Sequence, residues 1–295
     1  MRSPNCILVL IAVLFSSCQF NSDSQTHLSR QQSKRGIVNS SGMLSHAKAQ
    51  SNGVAIEQVL AEGSSTNDYN NDNLIYQPGK VWKYQLRAAS ENELQAFELN
   101  RQGDWRLVSA NNRISNRWQR VDELHMEVLD GYGPYDDAFD QTVIKYTYHY
   151  QGKPTDGNEA FTGLVENDAN IWVHPLKKDF FEILALNPYP FVQLPIEVGK
   201  RFHFNLPVHD NWSNPEWKKW YGTLKNNCRY EVVKQRSIRL PFGALSPYAI
   251  MSNCENELGD TGLVAYFDDQ MGFVKLDYRN IDDSWLSLEL LERPF

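Results

Sequence analysis

The sequence predicts a mainly β protein: one antiparallel β-barrel or β-sandwich with a single short helix, preceded by a signal peptide and a disordered tether. Three observations predict it. Apolar and polar residues alternate with a period of two through much of residues 74–295, the pattern of strands with one buried and one wet face. All eight tryptophans lie in that stretch. Ahead of it, 29 of the 55 residues in 19–73 are Ser, Thr, Asn, Gln or Gly. That composition buries too little apolar area to offset the entropy of ordering the chain.

Residues 1–18 carry Arg2 as their one charge, then an apolar run from Cys6 to Phe15, then Ser16-Ser17 before Cys18. The run is 10 residues long, about half of the ~20 an apolar helix needs to cross a bilayer. No later run approaches it, which excludes a polytopic helical membrane protein. The pattern is that of a targeting segment. Leu14-Phe15-Ser16-Ser17-Cys18 resembles the lipobox of bacterial lipoproteins, with Phe15 where Leu is usual. The resemblance implies cleavage before Cys18, diacylation of its sulfur and a membrane-anchored protein of the cell envelope. Gln19, rather than Asp, implies the outer membrane. The alternative is an ordinary secretory signal, with Cys18 incidental.

Residues 19–73 hold four Lys/Arg against five Asp/Glu and predict a flexible, nearly neutral tether spanning roughly 40 Å, with a transient helical turn at 54–60. From Leu74 a single domain begins, with 24 Lys/Arg against 31 Asp/Glu. Its first strand is 81–88, with Trp82, Tyr84, Leu86 and Ala88 on one face and Lys83, Gln85 and Arg87 on the other. Strand patterns follow at 104–109, 123–129, 143–150, 161–166 and 169–174. Lys177–Leu186 predicts the helix, with Phe180, Phe181 and Leu184 at helical spacing and Asn187-Pro188 as the stop. Strands resume at 201–208, 220–225, 228–240, 247–255, 262–268, 273–278 and 285–291. The acidic balance and the lack of basic runs exclude nucleic acid as the main partner.

Four cysteines exclude a disulfide-dense scaffold. Two of them have a predicted relation. The strand from 228 runs into Leu240-Pro241-Phe242-Gly243 and returns through 247–255, and a Pro and a Gly suit a short reversal. With the hairpin centred near Pro241, paired positions sum to about 482, which sets Cys228 opposite Cys254. An oxidising compartment then favours a disulfide; the alternative is two buried thiols.

The C-terminal order is the Pro241-Phe242-Gly243 hairpin, Tyr266-Phe267-Asp268, Gly272-Phe273-Val274-Lys275-Leu276 and Leu286-Ser287-Leu288-Glu289-Leu290. Over 228–291 this resembles the tail of uncharacterised β-rich envelope lipoproteins, TapB-like sequences among them. Residues 163–199 are similar to a Bacteroidetes-type lipoprotein. Both resemblances bear on fold and address, and neither implies an activity.

Candidate chemistry is sparse. Glu166, Asp168 and His174 put two carboxylates near an imidazole, as a base–orienter pair or metal ligands require; the alternative is a structural His at a strand end. Asp136, Asp137 and Asp140 follow a Gly-rich turn and could hold calcium, but without EF-hand spacing a solvated acidic loop is expected. No G-x-S-x-G, H-E-x-x-H, phosphate loop or C-x-x-C occurs, so neither cofactor nor metal is expected. Trp212, Trp217, Trp220 and Tyr221 crowd a turn-rich loop, where open rings would stack on a sugar or seat a lipid or peptide; His174 joins them as a candidate contact. Alternatively these rings cap the core. Three classes of function follow. A non-catalytic envelope lipoprotein with an accessory or binding role, partnering a glycan, lipid or envelope protein, comes first. A carbohydrate- or lipid-binding module is second, and an envelope hydrolase using Glu166, Asp168 and His174 is third.

Overall fold

The structure, a computed structural model, describes residues 47–51, 54–58, 68–70, 72–91, 93–135, 139–155, 159–176 and 178–295; the expected signal peptide, 1–18 with Cys18, lies outside them. The first strands are β1 (Ala47–Ser51), β2 (Val54–Gln58), β3 (Val81–Ser90), β4 (Glu93–Asn100), β5 (Trp105–Ser109), β6 (Trp118–Val121) and β7 (Glu123–Val128). Next come β8 (Thr142–Tyr150), β9 (Lys153–Pro154), β10 (Ala160–Glu166), β11 (Asn170–Val173), β12 (Phe191–Gln193) and β13 (Arg201–His209). The last are β14 (Thr223–Gln235), β15 (Ile238–Leu240), β16 (Gly243–Leu245), β17 (Tyr248–Asn256), β18 (Gly259–Asp268), β19 (Gly272–Arg279) and β20 (Trp285–Leu290).

Sixteen of these strands form one antiparallel sheet, whose main path runs β12-β11-β10-β8-β7-β3-β20-β19-β18-β17-β14-β13. Strands β4, β5 and β6 make a flap off β3. At the middle of the path the first and last strands of the sheet pair, from Tyr84↔Leu290 to Ala89↔Trp285. The sheet rolls until its edges β12 and β13 approach. Phe191 packs on Phe202 and Phe204, with ring centroids 5.0 and 5.9 Å apart. Lys200 Nζ donates to the carbonyls of Gln193, Leu194 and Pro195 at 3.0–3.3 Å. Side chains therefore meet at a seam that the ladder does not cross, and the result is a nearly closed barrel. The alternation read in the sequence is the inside–outside alternation of this barrel. Lys225, Asn227 and Arg229 of β14 face water while Leu224, Asn226, Cys228 and Tyr230 face in.

A 3₁₀ helix, Asp179–Leu186, fills the interior. Phe181, Ile183, Leu184, Ala185 and Leu186 are all buried, as a predominantly apolar element must be, while Glu182 is half-buried. Its last carbonyl, on Leu186, accepts from Asn226 Nδ2 (2.8 Å) and Thr261 Oγ1 (2.7 Å). Asn187 Nδ2 donates to the carbonyls of Gly262 and Arg279 at 3.3 and 2.9 Å. This buried polar belt satisfies the helix end, which would otherwise lose its water partners without replacement. The predicted helix is thus present, but wound as 3₁₀. Extended backbone at Lys178 and Asn187 confines it to eight residues, too few to favour the α form strongly.

The β14–β17 hairpin pairs Cys228 directly with Cys254, and the two form the expected disulfide with Cα atoms 4.0 Å apart. From Asn227 to Val232 the paired positions sum to 482; a bulge between Val232 and Lys234 then shifts the register. Beyond it, through β15 and β16, they sum to 483. Pro241-Phe242 is therefore the two-residue tip, and Gly243 takes a positive φ of 139° there.

Two segments differ from expectation. Residues 47–51 and 54–58 form an antiparallel ladder, Ala47↔Gln58 to Ser51↔Val54, where a tether with a helical turn was predicted. The β-branched Val54 and Ile56 and an intervening Asn52-Gly53 pair are hairpin signals that outweigh the polar composition around them. Asn70 and Asn73, also assigned to the tether, are buried and join the barrel through hydrogen bonds to the Leu129 carbonyl and to Thr142 Oγ1.

Candidate functional site

Glu166 ends β10 and is 8% exposed. Its Oε1 accepts the backbone N–H of Leu74 and of Ile75, each at 2.9 Å, and its Oε2 accepts that of Tyr76 at 2.8 Å. Three consecutive amides thus form a nest around one carboxylate. Asn73 Nδ2 donates to the Tyr76 carbonyl and to Thr142 Oγ1 at 2.8 and 3.1 Å. Asn70 Nδ2 donates to the Leu129 carbonyl at 2.9 Å. On the far side, Tyr76 Oη accepts the Phe273 N–H at 3.0 Å, and Trp82 Nε1 donates to the Met271 carbonyl at 2.7 Å. The carboxylate therefore fastens the segment leading into β3 across β10.

Asp168 is exposed in the β10–β11 turn, which Asn167 Oδ1 shapes by accepting the Ala169 and Asn170 N–H groups. His174 lies beyond the other end of β11, half-buried, with Nδ1 3.0 Å from the Pro175 carbonyl and its ring against Trp172 and Tyr189. Glu166 pairs with Ile171, so His174 sits three residues, roughly 10 Å, further along the strand. Glu166, Asp168 and His174 do not converge, and Glu166 is committed to the backbone. The three therefore do not form a base–orienter pair, and His174 stands at a strand end as the structural alternative has it. Of the acidic loop, Asp140 is exposed, and Asp136 and Asp137 lie outside the described residues.

The aromatic loop turns inward. A short 3₁₀ turn, Asp210–Trp212, and a bridge between Asn214 and Lys218 fold it back. Asp210 Oδ2 accepts the Gly222 N–H at 2.7 Å, and Ser213 Oγ accepts the Trp220 N–H at 3.2 Å. Trp217 and Trp220 are buried, Trp212 is half-buried against the core, and Tyr221 is 91% exposed. For Trp217 and Trp220 the core-capping alternative is the observed one. Their faces are spent on packing, and Tyr221 alone projects fully into solvent.

The barrel interior holds a gap of about 30 Å³ bordered by Tyr84, Met126, Tyr146, Phe181, Leu184 and Tyr278, room for roughly one water. Burial pushes the hydroxyls of Tyr84, Tyr146 and Tyr278 above the usual tyrosine range. They remain neutral hydrogen-bonding groups at physiological pH.

One polar arrangement escaped the sequence reading. On the outer face, His125 of β7 and His149 of β8 stack with ring centroids 3.5 Å apart and planes 17° from parallel. His125 Nε2 lies 3.3 Å from Glu123 Oε2, and His149 Nε2 lies 3.0 Å from Thr147 Oγ1. The signal that would have found the pair is the register His125↔Thr147, which makes the histidines diagonal neighbours. Burial holds both imidazoles below their ordinary pKa, and each ring's proximity to the other lowers that of His149 further. Protons therefore bind more tightly to the unfolded chain. The stability contributed by neutral rings is complete above about pH 6.5 and is lost as pH falls through the folded-state values. We expect the melting temperature to fall between pH 7 and pH 5, and His125→Gln/His149→Gln to flatten that slope; an unchanged slope would contradict this account.

No family model matches the chain, and no curated protein matches it. Two solved structures are similar to it. One is a protein from Bacteroides fragilis described as exported and as having a YmcC-like fold; it is 13% identical, over 75% of this chain and 98% of that one, with a TM-score of 0.39. The other is a protein from Parabacteroides distasonis described as a lipoprotein; it is 12% identical, over 74% of this chain and 97% of that one, also with a TM-score of 0.39.

Proposed function

We propose that the chain is a cell-envelope lipoprotein, anchored through Cys18 to the outer membrane, whose β-barrel acts by binding or assembly at its outer surface. The engagement of Glu166 carries this reading. Glu166, one of the two carboxylates that the sequence offers beside His174, holds three backbone amides, so the hydrolase alternative loses one of its groups. The interior points the same way, because the gap beside the 3₁₀ helix, about 30 Å³ among the described residues, holds roughly one water. Outward charges on β13, β14 and β17, paired as Arg201–Glu231 and Arg229–Glu255, suit a barrel standing in water; a barrel set in lipid turns an apolar face outward. The Cys228–Cys254 disulfide fits an oxidising compartment, and the TapB-like resemblance of 228–291 agrees with the address.

The test is metabolic labelling with radioactive palmitate. Label and membrane retention are expected in the wild type, with both lost in Cys18→Ala. Label persisting in that variant, or a wild-type protein free of the membrane fraction, would refute the anchor.

A further inference from the structure

Residues 101–120 contain five arginines and one aspartate, in a chain whose net charge is −7. The flap of β4, β5 and β6 gathers them at its edge. Two share a single carboxylate. Buried Glu98 takes Arg106 Nε and Nη2 on its Oε2, at 2.9 and 2.6 Å, and its Oε1 lies 3.5 Å from Arg120 Nε. Arg120 also donates to the carbonyls of Ala110 and Asn112. The Arg106 guanidinium lies 4.1 Å from the centre of the Trp118 ring, which fixes both groups.

The flap also carries a cleft of about 160 Å³, with Asn100 and Arg101 on one wall and Asn116, Arg117, Trp118 and Gln119 on the other. The volume is about five times that of one water in the liquid, so a group of several heavy atoms fits. Backbone pairing joins the two walls. Asn100 pairs with Trp118 across β4 and β6. Asn100 Oδ1 also accepts the Gln102 and Asp104 N–H groups, and the turn is completed by Gly103 at φ 90°. Asp104, in the turn after β4, receives a hydrogen bond from Asn100 Nδ2 at 2.7 Å. Arg101 and Arg117 are exposed, and neither has an ion-pair partner among the described residues. The cleft thus presents two free guanidinium forks and side-chain amides, with no carboxylate in its lining.

The geometry points to a binding site for a phosphate group, seated between Arg101 and Arg117. A donor-rich, acid-free cleft matches a ligand that only accepts hydrogen bonds. Guanidinium forks pair bidentately with phosphate oxygens, and the tetrahedral phosphate offers more acceptors than a carboxylate. A phospholipid headgroup and a soluble phosphorylated compound share this chemistry.

The experiment uses the full-length chain with Cys18→Ala in every arm, so that acyl chains play no part. One arm titrates inorganic phosphate by calorimetry. The other measures co-sedimentation with vesicles of phosphatidylglycerol and phosphatidylcholine, against phosphatidylcholine alone. Binding in the phosphate arm assigns a soluble ligand; binding to the anionic vesicles alone assigns a headgroup. In either case Arg101→Gln/Arg117→Gln weakens binding at least tenfold with an unchanged melting temperature, and Lys225→Gln/Lys234→Gln, on the exposed side of β14, does not. Absence of binding in both arms, or binding that survives the double arginine substitution, overturns the site.

Discussion

Replacing Glu166 with Ala is expected to cost about 4 kcal/mol of stability. Hydrogen bonds to a charged group contribute about 1.5–3 kcal/mol each, and Glu166 accepts three of them. Its loss also leaves the amides of Ile75 and Tyr76, both buried, without an acceptor. For a domain of this size a loss of that order lowers the melting temperature by roughly 12 °C. Glu166→Gln retains the shape but turns an amide N–H toward backbone donors, so it recovers only part of the loss. Thermal denaturation of the two variants, followed by tryptophan fluorescence, checks the ordering. Equal stability of wild type and Glu166→Ala would remove the structural role and return the carboxylate to candidacy as a catalytic group.

The disulfide is the second large term. Cys228 and Cys254 are 26 positions apart, and closing a loop of that length restricts the unfolded chain by about 3.5 kcal/mol in the chain-entropy treatment. Cys228→Ser/Cys254→Ser should therefore shift the urea midpoint down strongly. Reductant should destabilise the wild type and leave the variant unaffected. Alkylation of unfolded, unreduced protein should modify neither cysteine. A midpoint that ignores both reductant and substitution would show that the bridge does not form in solution.

The barrel was legible in the sequence because its interior is apolar almost throughout, so period-two alternation survives in β3, β8, β13 and β14. The register of Cys228 against Cys254 was legible for a subtler reason. The turn is centred half a residue beyond Pro241, and taken alone it would pair Cys228 with Glu255. The bulge near Val232 removes that offset, so a centre placed at Pro241 gives the observed pairing. β4 was missed because Glu93, Leu94, Gln95 and Ala96 carry little strand preference; it is held by β3, β5 and β6 on its neighbours' terms. The site was less legible than the fold. Glu166 and its three amides are about ninety positions apart in sequence, and spacing-based motifs do not register such a contact. Trp217 and Trp220 looked like a surface cluster because the residues between and around them are polar, while the direction of each ring is set by a local reversal that alternation does not encode.

The pairing of β3 with β20 carries a consequence for how this protein comes into being. Tyr84 waits for Leu290, so the central ladder of the barrel cannot close until Leu290 has left the ribosome. Topologies dominated by such distant pairings fold slowly. The interval leaves the early strands unpaired along one edge, the state most easily threaded through a translocation channel and most exposed to aggregation. The seam between β12 and β13 eases the final step. A tube welded all round would have to admit the 3₁₀ helix through its mouth, whereas a sheet with one unlaced margin can wrap around it.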